Sequence, residues 1–150
     1  MAADAIRAFG KLRLKVTGSS MLPTIWPGDV LEVRHQGVAE IQSGDVVLFQ
    51  RQGQLVAHRV VQRLGRPGGN LLITRGDRHS AADPPITEEE LLGRVTEVLR
   101  GNHRKVPRLT FGCWVGAWIL SRSDFLTRVL LHLSNRLPSI RGLGKAQWAR

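Results

Sequence analysis

The sequence predicts a mainly β fold: a compact, barrel-type domain followed by a basic C-terminal appendage of α-helical character. Short runs of alternating or β-branched apolar residues recur along the first two thirds of the chain, and Gly- or Pro-containing turn signals separate them. After Gly101 the apolar residues recur at helical spacing instead. We therefore assign a β domain to residues 11–100 and a basic amphipathic helical tail to residues 101–150.

The β elements follow from the local patterns in chain order. Residues 1–10 are long enough for one short helical turn, and residues 11–16, which read KLRLKV, alternate as a half-buried strand does. Glycine-rich residues 65–70 predict a flexible loop, and the TEEE of residues 87–90 predicts a helix start. The remaining predicted strands cover residues 30–34, 46–50, 55–63, 71–74 and 91–99.

The charge of the chain is strongly positive and unevenly distributed. Its 150 residues carry 22 Lys and Arg against 12 Asp and Glu, a net charge of +10. Residues 1–93 hold 11 basic and 10 acidic residues, whereas residues 94–150 hold 11 basic and 2 acidic ones. A basic tail favours an anionic partner, although a merely solvated tail is the alternative. No nucleic-acid module or aromatic stacking platform is recognisable, so anionic lipid is the expected partner.

The tail also carries an amphipathic pattern. Its apolar stripe and its basic residues lie on different faces of a helix, and two interpretations remain open. In one the helix lies in a membrane interface; in the other the stripe packs against the β domain and completes its core. The stripe comprises Phe125, Leu126, Val129, Leu130, Leu133 and Leu137, and the basic residues are Arg122, Arg128, His132 and Arg136.

Neither a secretory signal nor a membrane span is expected in the chain. The N-terminal MAADAIRAFGKLRLKV lacks a long apolar region, and the longest apolar run, residues 111–120, is about half of the roughly 20 residues that cross a bilayer. We therefore expect membrane association that is peripheral or through an anchored partner, with a cytoplasmic location as the alternative. The single Cys113 excludes an internal disulfide. No cofactor or metal is expected.

A turn-rich loop at residues 18–29, GSSMLPTIWPGD, contains the first candidate for chemistry. Pro23 and Pro27 fix their own backbone and restrict the residues before them, so the loop presents Ser20 rigidly. A serine hydroxyl is a weak nucleophile, and it needs both an adjacent base and a fixed position. A loop serine before an ordinary turn is the alternative interpretation of this stretch.

A base and an orienting acid are available further along the chain. His58 lies in the predicted strand LVAHRVV, and histidine is the residue type most often used to transfer protons near neutral pH. Asp77 and Asp83 lie in the irregular segment after the next strand, and either could reach the imidazole. Spacing alone does not decide between them, and lone loop aspartates are commonly turn formers.

Taken together, the motifs resemble those of type I signal peptidases and their relatives in the signal peptidase/LexA superfamily. GSSMLPT is followed in order by WPGDVLEV, SGDVVLFQ, LVAHRVV, LITRGDRHSAADPP and LLGRV, over about residues 13–99. LVAHRVV carries His where the usual bacterial enzymes carry Lys. The chain is therefore most similar to the branch typical of archaea, the endoplasmic reticulum and some Gram-positive bacteria. LexA-type repressors use a Lys base at this position.

The resemblance implies a serine endopeptidase of signal-peptidase-like β fold. Ser20 corresponds to the nucleophile, His58 to the general base and Asp83 to the acid that supports it, while Asp77 corresponds to a second aspartate that shapes the site. The backbone N–H of Ser20 would contribute to the oxyanion hole. The implied substrate is a preprotein or leader peptide, extended along an edge strand and cut after small residues two positions apart. The oxyanion and substrate loop includes Ser19, Met21 and Pro23.

The sequence departs from the family pattern near the nucleophile. Many bacterial members carry a hydroxyl residue two positions before the nucleophile, where this chain has Gly18, so Thr17 or Ser19 would have to substitute. The family is also normally tethered by membrane spans. A rival interpretation is a catalytically idle β module that binds an anionic membrane or a partner protein through the basic tail.

Overall fold

The computed structural model describes residues 2–67 and 69–107. A short helix precedes the strands and one 3₁₀ turn interrupts them, so the described chain is mainly β, as predicted. The predicted helical tail, from residue 108 onward, lies outside the described residues, and no helix within them is long and apolar enough to cross a membrane. In chain order the elements are α1 (Ala2–Phe9), β1 (Lys11–Lys15), β2 (Val30–Arg34), the 3₁₀ turn Val38–Glu40, β3 (Val46–Arg51), β4 (Gln54–Arg66), β5 (Gly69–Arg75), β6 (Leu91–Arg100) and β7 (His103–Lys105).

The strands form one antiparallel sheet of seven members. Its order is β1-β2-β6-β3-β4-β5, with β7 pairing the far end of β6. In the described part of the chain the hydrogen-bonded path runs from β1 to β5 without closing, so the pairing is that of an open, branched sheet where we expected a barrel. β1 and the first half of β4 each keep an edge that no described strand occupies.

Strand β3 lies between two hydrophobic clusters. This position accounts for the continuous apolar run VVLF at residues 46–49. Val46 and Leu48 pack into one cluster with Ile6 of α1, and Val47 and Phe49 pack into the other. Because side chains alternate along a strand, both faces of β3 are buried. The β3–β4 register then places His58 opposite Val47, on the same face as Phe49.

Three segments differ from the sequence expectations. The predicted flexible loop at residues 65–70 is wrong, because the pairs Gly65↔Asn70 and Arg66↔Gly69 continue the β4–β5 ladder through it. The predicted helix start at residues 87–90 is a single turn. Its Thr87 and Glu90 exchange backbone-to-side-chain hydrogen bonds as in a capping box, but the next residue pairs with β3 and continues as strand β6.

The third difference is β7, which lies within the stretch predicted as tail. Residues Gly101 and Asn102 separate the cross-strand pair Arg100↔His103, and Gly101 adopts a φ of 56°. This is the two-residue hairpin that a Gly-Asn dipeptide favours. The basic composition of HRK concealed a strand that the turn residues indicate.

A buried ion pair holds the loop after β5 against β4. The Arg59 guanidinium donates from Nε and Nη2 to the two Asp77 carboxylate oxygens, both at 2.8 Å, and the two side chains are 4% and 3% exposed. Its remaining nitrogen, Nη1, donates to the Gly44 and Pro107 carbonyls, each at 2.8 Å. Each guanidinium nitrogen and each carboxylate oxygen of this buried pair therefore has a hydrogen-bond partner, which offsets the cost of burying the charges. The segments that contain Gly44, Asp77 and Pro107 all meet at Arg59.

We expect Asp77→Asn to lower the free energy of unfolding by about 3–5 kcal/mol, because it leaves the buried Arg59 charge without its partner. Urea unfolding followed by far-UV circular dichroism measures this. Glu97→Gln is the control, since it removes an equal charge from an ion pair with Arg104 that is 35% and 62% exposed. That change should cost roughly 0–1 kcal/mol. Equal losses in the two variants would contradict the structural role of the Arg59–Asp77 pair.

Candidate active site

The loop after β1 presents Ser20 at the start of a compact turn. The Leu22 N–H donates to the Ser19 carbonyl at 3.2 Å and the Ile25 N–H to the Met21 carbonyl at 2.9 Å. Met21, Leu22 and Ile25 are at most 3% exposed and pack in the core. The apolar residues that follow the serine therefore anchor the turn, and the Ser20 hydroxyl remains half-buried at the surface.

The imidazole of His58 contacts the Ser20 hydroxyl and a carboxylate at the same time. Its Nε2 lies 3.0 Å from Ser20 Oγ, and its Nδ1 lies 2.6 Å from Asp83 Oδ2. A carboxylate accepts from an Nδ1–H, and that tautomer leaves the Nε2 lone pair directed at the serine hydroxyl. His58 is 6% exposed, and Phe49 packs against its ring edge-on with the centroids 6.2 Å apart. The imidazole is thus held in one orientation.

Asp83 is fixed by strand β5. Its N–H donates to the Thr74 carbonyl at 2.7 Å, and its Oδ2 accepts from the Thr74 hydroxyl at 2.7 Å. The prolines that follow Asp83 are fixed in turn, because the Arg51 guanidinium donates to the carbonyls of Pro84 and Pro85 at 3.0 and 2.8 Å. The carboxylate therefore approaches His58 from a segment held at both ends.

The two aspartates that the sequence left as alternatives have separate partners. Asp83 contacts His58, whereas the Asp77 carboxylate pairs with Arg59. Asp77 shapes the site indirectly, because Gly76 and Arg78 on either side of it contact the serine loop. The Arg78 N–H donates to the Ser20 carbonyl at 2.9 Å, and its Nη1 donates to Ser19 Oγ at 3.3 Å.

Gly76 is packed so closely that no side chain fits there. A Cβ on this residue would lie 2.8 Å from the Ser20 carbonyl oxygen, 3.2 Å from His58 Nε2 and 3.1 Å from His79 Nδ1. The His79 ring meets His58 edge-on at 5.6 Å between centroids. Burial, followed by the nearby His58, lowers the pKa of His79 below its ordinary value, which disfavours a second positive charge beside His58.

An apolar groove of about 470 Å³ runs up to the serine and the histidine. One wall is the end of β1 and the residues after it, and the other is the first half of β4. Of the predicted loop residues, Met21 lines the groove, whereas Ser19 contacts Arg78 and the Pro23 carbonyl accepts from the Trp26 indole at 2.9 Å. Side chains of the lining include Leu14, Val16, Ile25, Leu31, Leu48 and Val56.

Comparison with known proteins agrees with the motifs. The family model for Peptidase S24-like proteins matches residues 7–96. The chain belongs to this family. Over 92 residues it is also 34% identical to signal peptidase I W of Bacillus subtilis strain 168, an alignment that covers 59% of this chain and 48% of the relative. The resemblance to signal peptidases is therefore confirmed, and the chain spans about half the length of that relative.

The family match contains the serine, the histidine and both aspartates, but sequence reasoning missed three residues that hold them. Thr74 lies at the end of a predicted strand, Gly76 follows that strand, and Arg59 is the neighbour of His58, but no periodicity or turn pattern marks any of the three as part of the site. The dipeptide His58-Arg59 offered one signal, because a cation inside an apolar strand needs a buried acid. Within the described residues, no group of three His, Cys, Asp or Glu side chains is arranged to hold a metal ion.

Gly76→Ala should slow the reaction of Ser20 with a fluorophosphonate probe by roughly ten- to a hundredfold, because the added methyl displaces the Ser20 carbonyl or the His58 ring. The rate of probe incorporation, measured by mass spectrometry, provides the test. Gly65→Ala is the matched control, since its Cβ would meet only Asn70 Oδ1 at an ordinary 3.7 Å. Probe incorporation at the wild-type rate in folded Gly76→Ala protein would show that the close packing is irrelevant to the serine.

Proposed function

We propose that this member of the Peptidase S24-like family is a serine endopeptidase in which Ser20 is the nucleophile, His58 the general base and Asp83 the residue that orients the base. The supporting observation is the continuous hydrogen-bonded chain from Ser20 Oγ through both nitrogens of His58 to Asp83. Nucleophile, base and orienting acid are each within hydrogen-bond reach of the next, which is the arrangement that activates a serine.

The proposed reaction proceeds through an acyl-enzyme. As Ser20 Oγ attacks the scissile carbonyl carbon, its proton passes to His58 Nε2, and the Asp83 carboxylate stabilises the imidazolium through Nδ1–H. The imidazolium then protonates the leaving amine as the C–N bond breaks. Water, deprotonated by the same nitrogen, hydrolyses the ester and restores Ser20. The Ser20 N–H is the proposed oxyanion donor, and Gly18 supplies no hydroxyl to assist it.

The wall of the groove formed by β1 has backbone groups available for a peptide. Val16 bonds on one side only: its N–H donates to the Asp29 carbonyl and its carbonyl accepts from the Gly28 N–H, both at 2.8 Å. Successive residues of a strand direct their backbone groups to opposite edges. Those of Lys15 and Thr17 therefore face the open edge, and both residues line the groove.

The opposite wall, formed by β4, is arranged in the same way. The Val60 N–H donates to the Asp45 carbonyl and its carbonyl accepts from the Gly44 N–H, so Val60 faces β3. Because backbone groups alternate along the strand, those of Leu55 and Ala57 face away from β3. These two residues precede Arg59, where pairing with β5 begins, and both line the groove. A substrate strand between the two walls could bond to both, with alternate side chains in the apolar groove.

This arrangement supports an extended peptide as the substrate, and we propose a preprotein or leader peptide cut after small residues two positions apart. The similarity to a Bacillus signal peptidase supports the same class of substrate. The specificity is tested by measuring cleavage products by mass spectrometry. Peptides that carry Ala at both of the small-residue positions before the cleaved bond are compared with peptides that carry Trp at either position. Equal cleavage of all the peptides would contradict this assignment of substrate.

Ser20→Ala should abolish labelling by a fluorophosphonate probe, because it removes the nucleophile. His58→Gln and Asp83→Asn should slow labelling by roughly two or more orders of magnitude, because the first removes the base and the second removes the acid that orients it. Ser43→Ala is the matched control, because Ser43 is an exposed serine that bonds only to the Val61 carbonyl among the contacts described. Labelling of wild type at Ser20 with these losses supports the peptidase. Absence of labelling in folded wild-type protein would favour the idle binding module.

A further inference from the structure

Arg100, at the end of β6, reaches across to the segment that joins Ser20 to β2. Its Nε and Nη2 donate to the two carboxylate oxygens of Asp29 at 2.8 and 2.7 Å, and its guanidinium carbon lies 5.6 Å from the centroid of the Trp26 ring. The bidentate pair and the stacked ring restrict the same guanidinium from two directions. Asp29 is 3% exposed, so little water competes for these bonds.

The residues that Arg100 contacts are themselves joined to the serine loop. The Trp26 N–H donates to Asp29 Oδ2 at 2.8 Å, and the Trp26 indole Nε1–H donates to the Pro23 carbonyl at 2.9 Å. A second cation acts nearby: Lys105 of β7 donates from Nζ to the Thr24 carbonyl at 2.5 Å. Two basic side chains from the β6–β7 hairpin thus hold residues only a few positions after the nucleophile.

Both cations lie outside the family match, which ends at residue 96. We propose that Arg100 and Lys105 are positioning residues for Ser20, so that the β6–β7 hairpin is a working part of the active site. Among the contacts described, neither side chain bonds to Ser20, His58 or Asp83. Each acts through the loop. The two prolines fix only their own backbone and the residues before them, so the bonds to Thr24 and Asp29 are needed to hold the turn as a whole in place.

The inference rests on the proposed function, and its chemistry follows from the geometry of the loop. Core packing of Met21 and the Arg78 N–H fix the loop close to Ser20, while Asp29 and Thr24 fix the other end and the middle. Removing the bonds to Thr24 and Asp29 allows the turn to relax, and this relaxation moves Ser20 Oγ relative to His58 Nε2. The base itself, its tautomer and its contact with Asp83 are unchanged by that movement.

The test compares Arg100→Gln and Lys105→Met with Arg104→Gln. Arg104 lies in β7 beside Lys105, and its partner is Glu97 on the exposed face, so this control removes the same charge from the same hairpin without touching the loop. The measurement is the rate of fluorophosphonate labelling of the full chain as a function of pH, below the unfolding temperature of every variant. Amide hydrogen exchange of residues 21–26 is followed in the same samples.

Each of the two loop variants should label about tenfold or more slowly than wild type, with an unchanged midpoint of the pH profile and faster exchange at residues 21–26. Arg104→Gln should match wild type in both measurements. A shifted midpoint would mean that the variants act on the base and would overturn the inference, as would wild-type labelling in the folded variants.

If wild-type protein itself is not labelled, the proposed peptidase function fails, and hydrogen exchange alone then decides whether these cations hold the loop. Faster exchange in Arg100→Gln and Lys105→Met but not in Arg104→Gln would show that Arg100 and Lys105 still hold the loop. Unchanged exchange overturns it.

Discussion

The imidazole of His58 is the point on which the rest of the site depends. It is 6% exposed, and each of its nitrogens has one partner, Ser20 Oγ at 3.0 Å and Asp83 Oδ2 at 2.6 Å. A buried imidazole that lost either partner would leave an unsatisfied polar atom, at a cost of roughly 1–3 kcal/mol. The two bonds that satisfy the buried imidazole in the folded protein are therefore the same ones that the proposed mechanism uses to activate Ser20.

Those two bonds require three separate segments to meet, and the sheet brings them together. Strand β3, buried on both faces, sets the register that points His58 toward the second cluster. Strand β5 holds Asp83 through Thr74, and Arg59 holds the intervening loop through Asp77. The serine loop is then held from the other side by the β6–β7 hairpin. Apart from the Thr74–Asp83 bond, which spans 9 residues, these side-chain contacts join residues at least 18 positions apart, so the site exists only in the completed sheet.

Local patterns predicted much of the molecule, because strand periodicity and turn residues are local properties. The strands at residues 30–34 and the alternation of residues 11–16 needed no tertiary information, and the order of the motifs identified the family. Spacing could not decide between Asp77 and Asp83, since each lies within reach of the imidazole along the chain, and only the resemblance to signal peptidases favoured Asp83. The excluded volume at Gly76 and the bonds of Arg100 to Asp29 depend on packing across the sheet, which no local pattern records. At residues 87–90 tertiary pairing prevailed over a genuine helix-start signal.

The most direct test of this account is the tautomer of His58, measured by nitrogen-15 NMR on protein labelled in its histidines, with His58→Gln used to assign the signal. We expect the neutral imidazole to carry its proton on Nδ1, where the proton exchanges slowly with water, and we expect Asp83→Asn but not Ser20→Ala to abolish that protection. A proton on Nε2, or an Nδ1 proton that exchanges as freely as in a solvent-exposed histidine, would contradict the Ser20–His58–Asp83 arrangement.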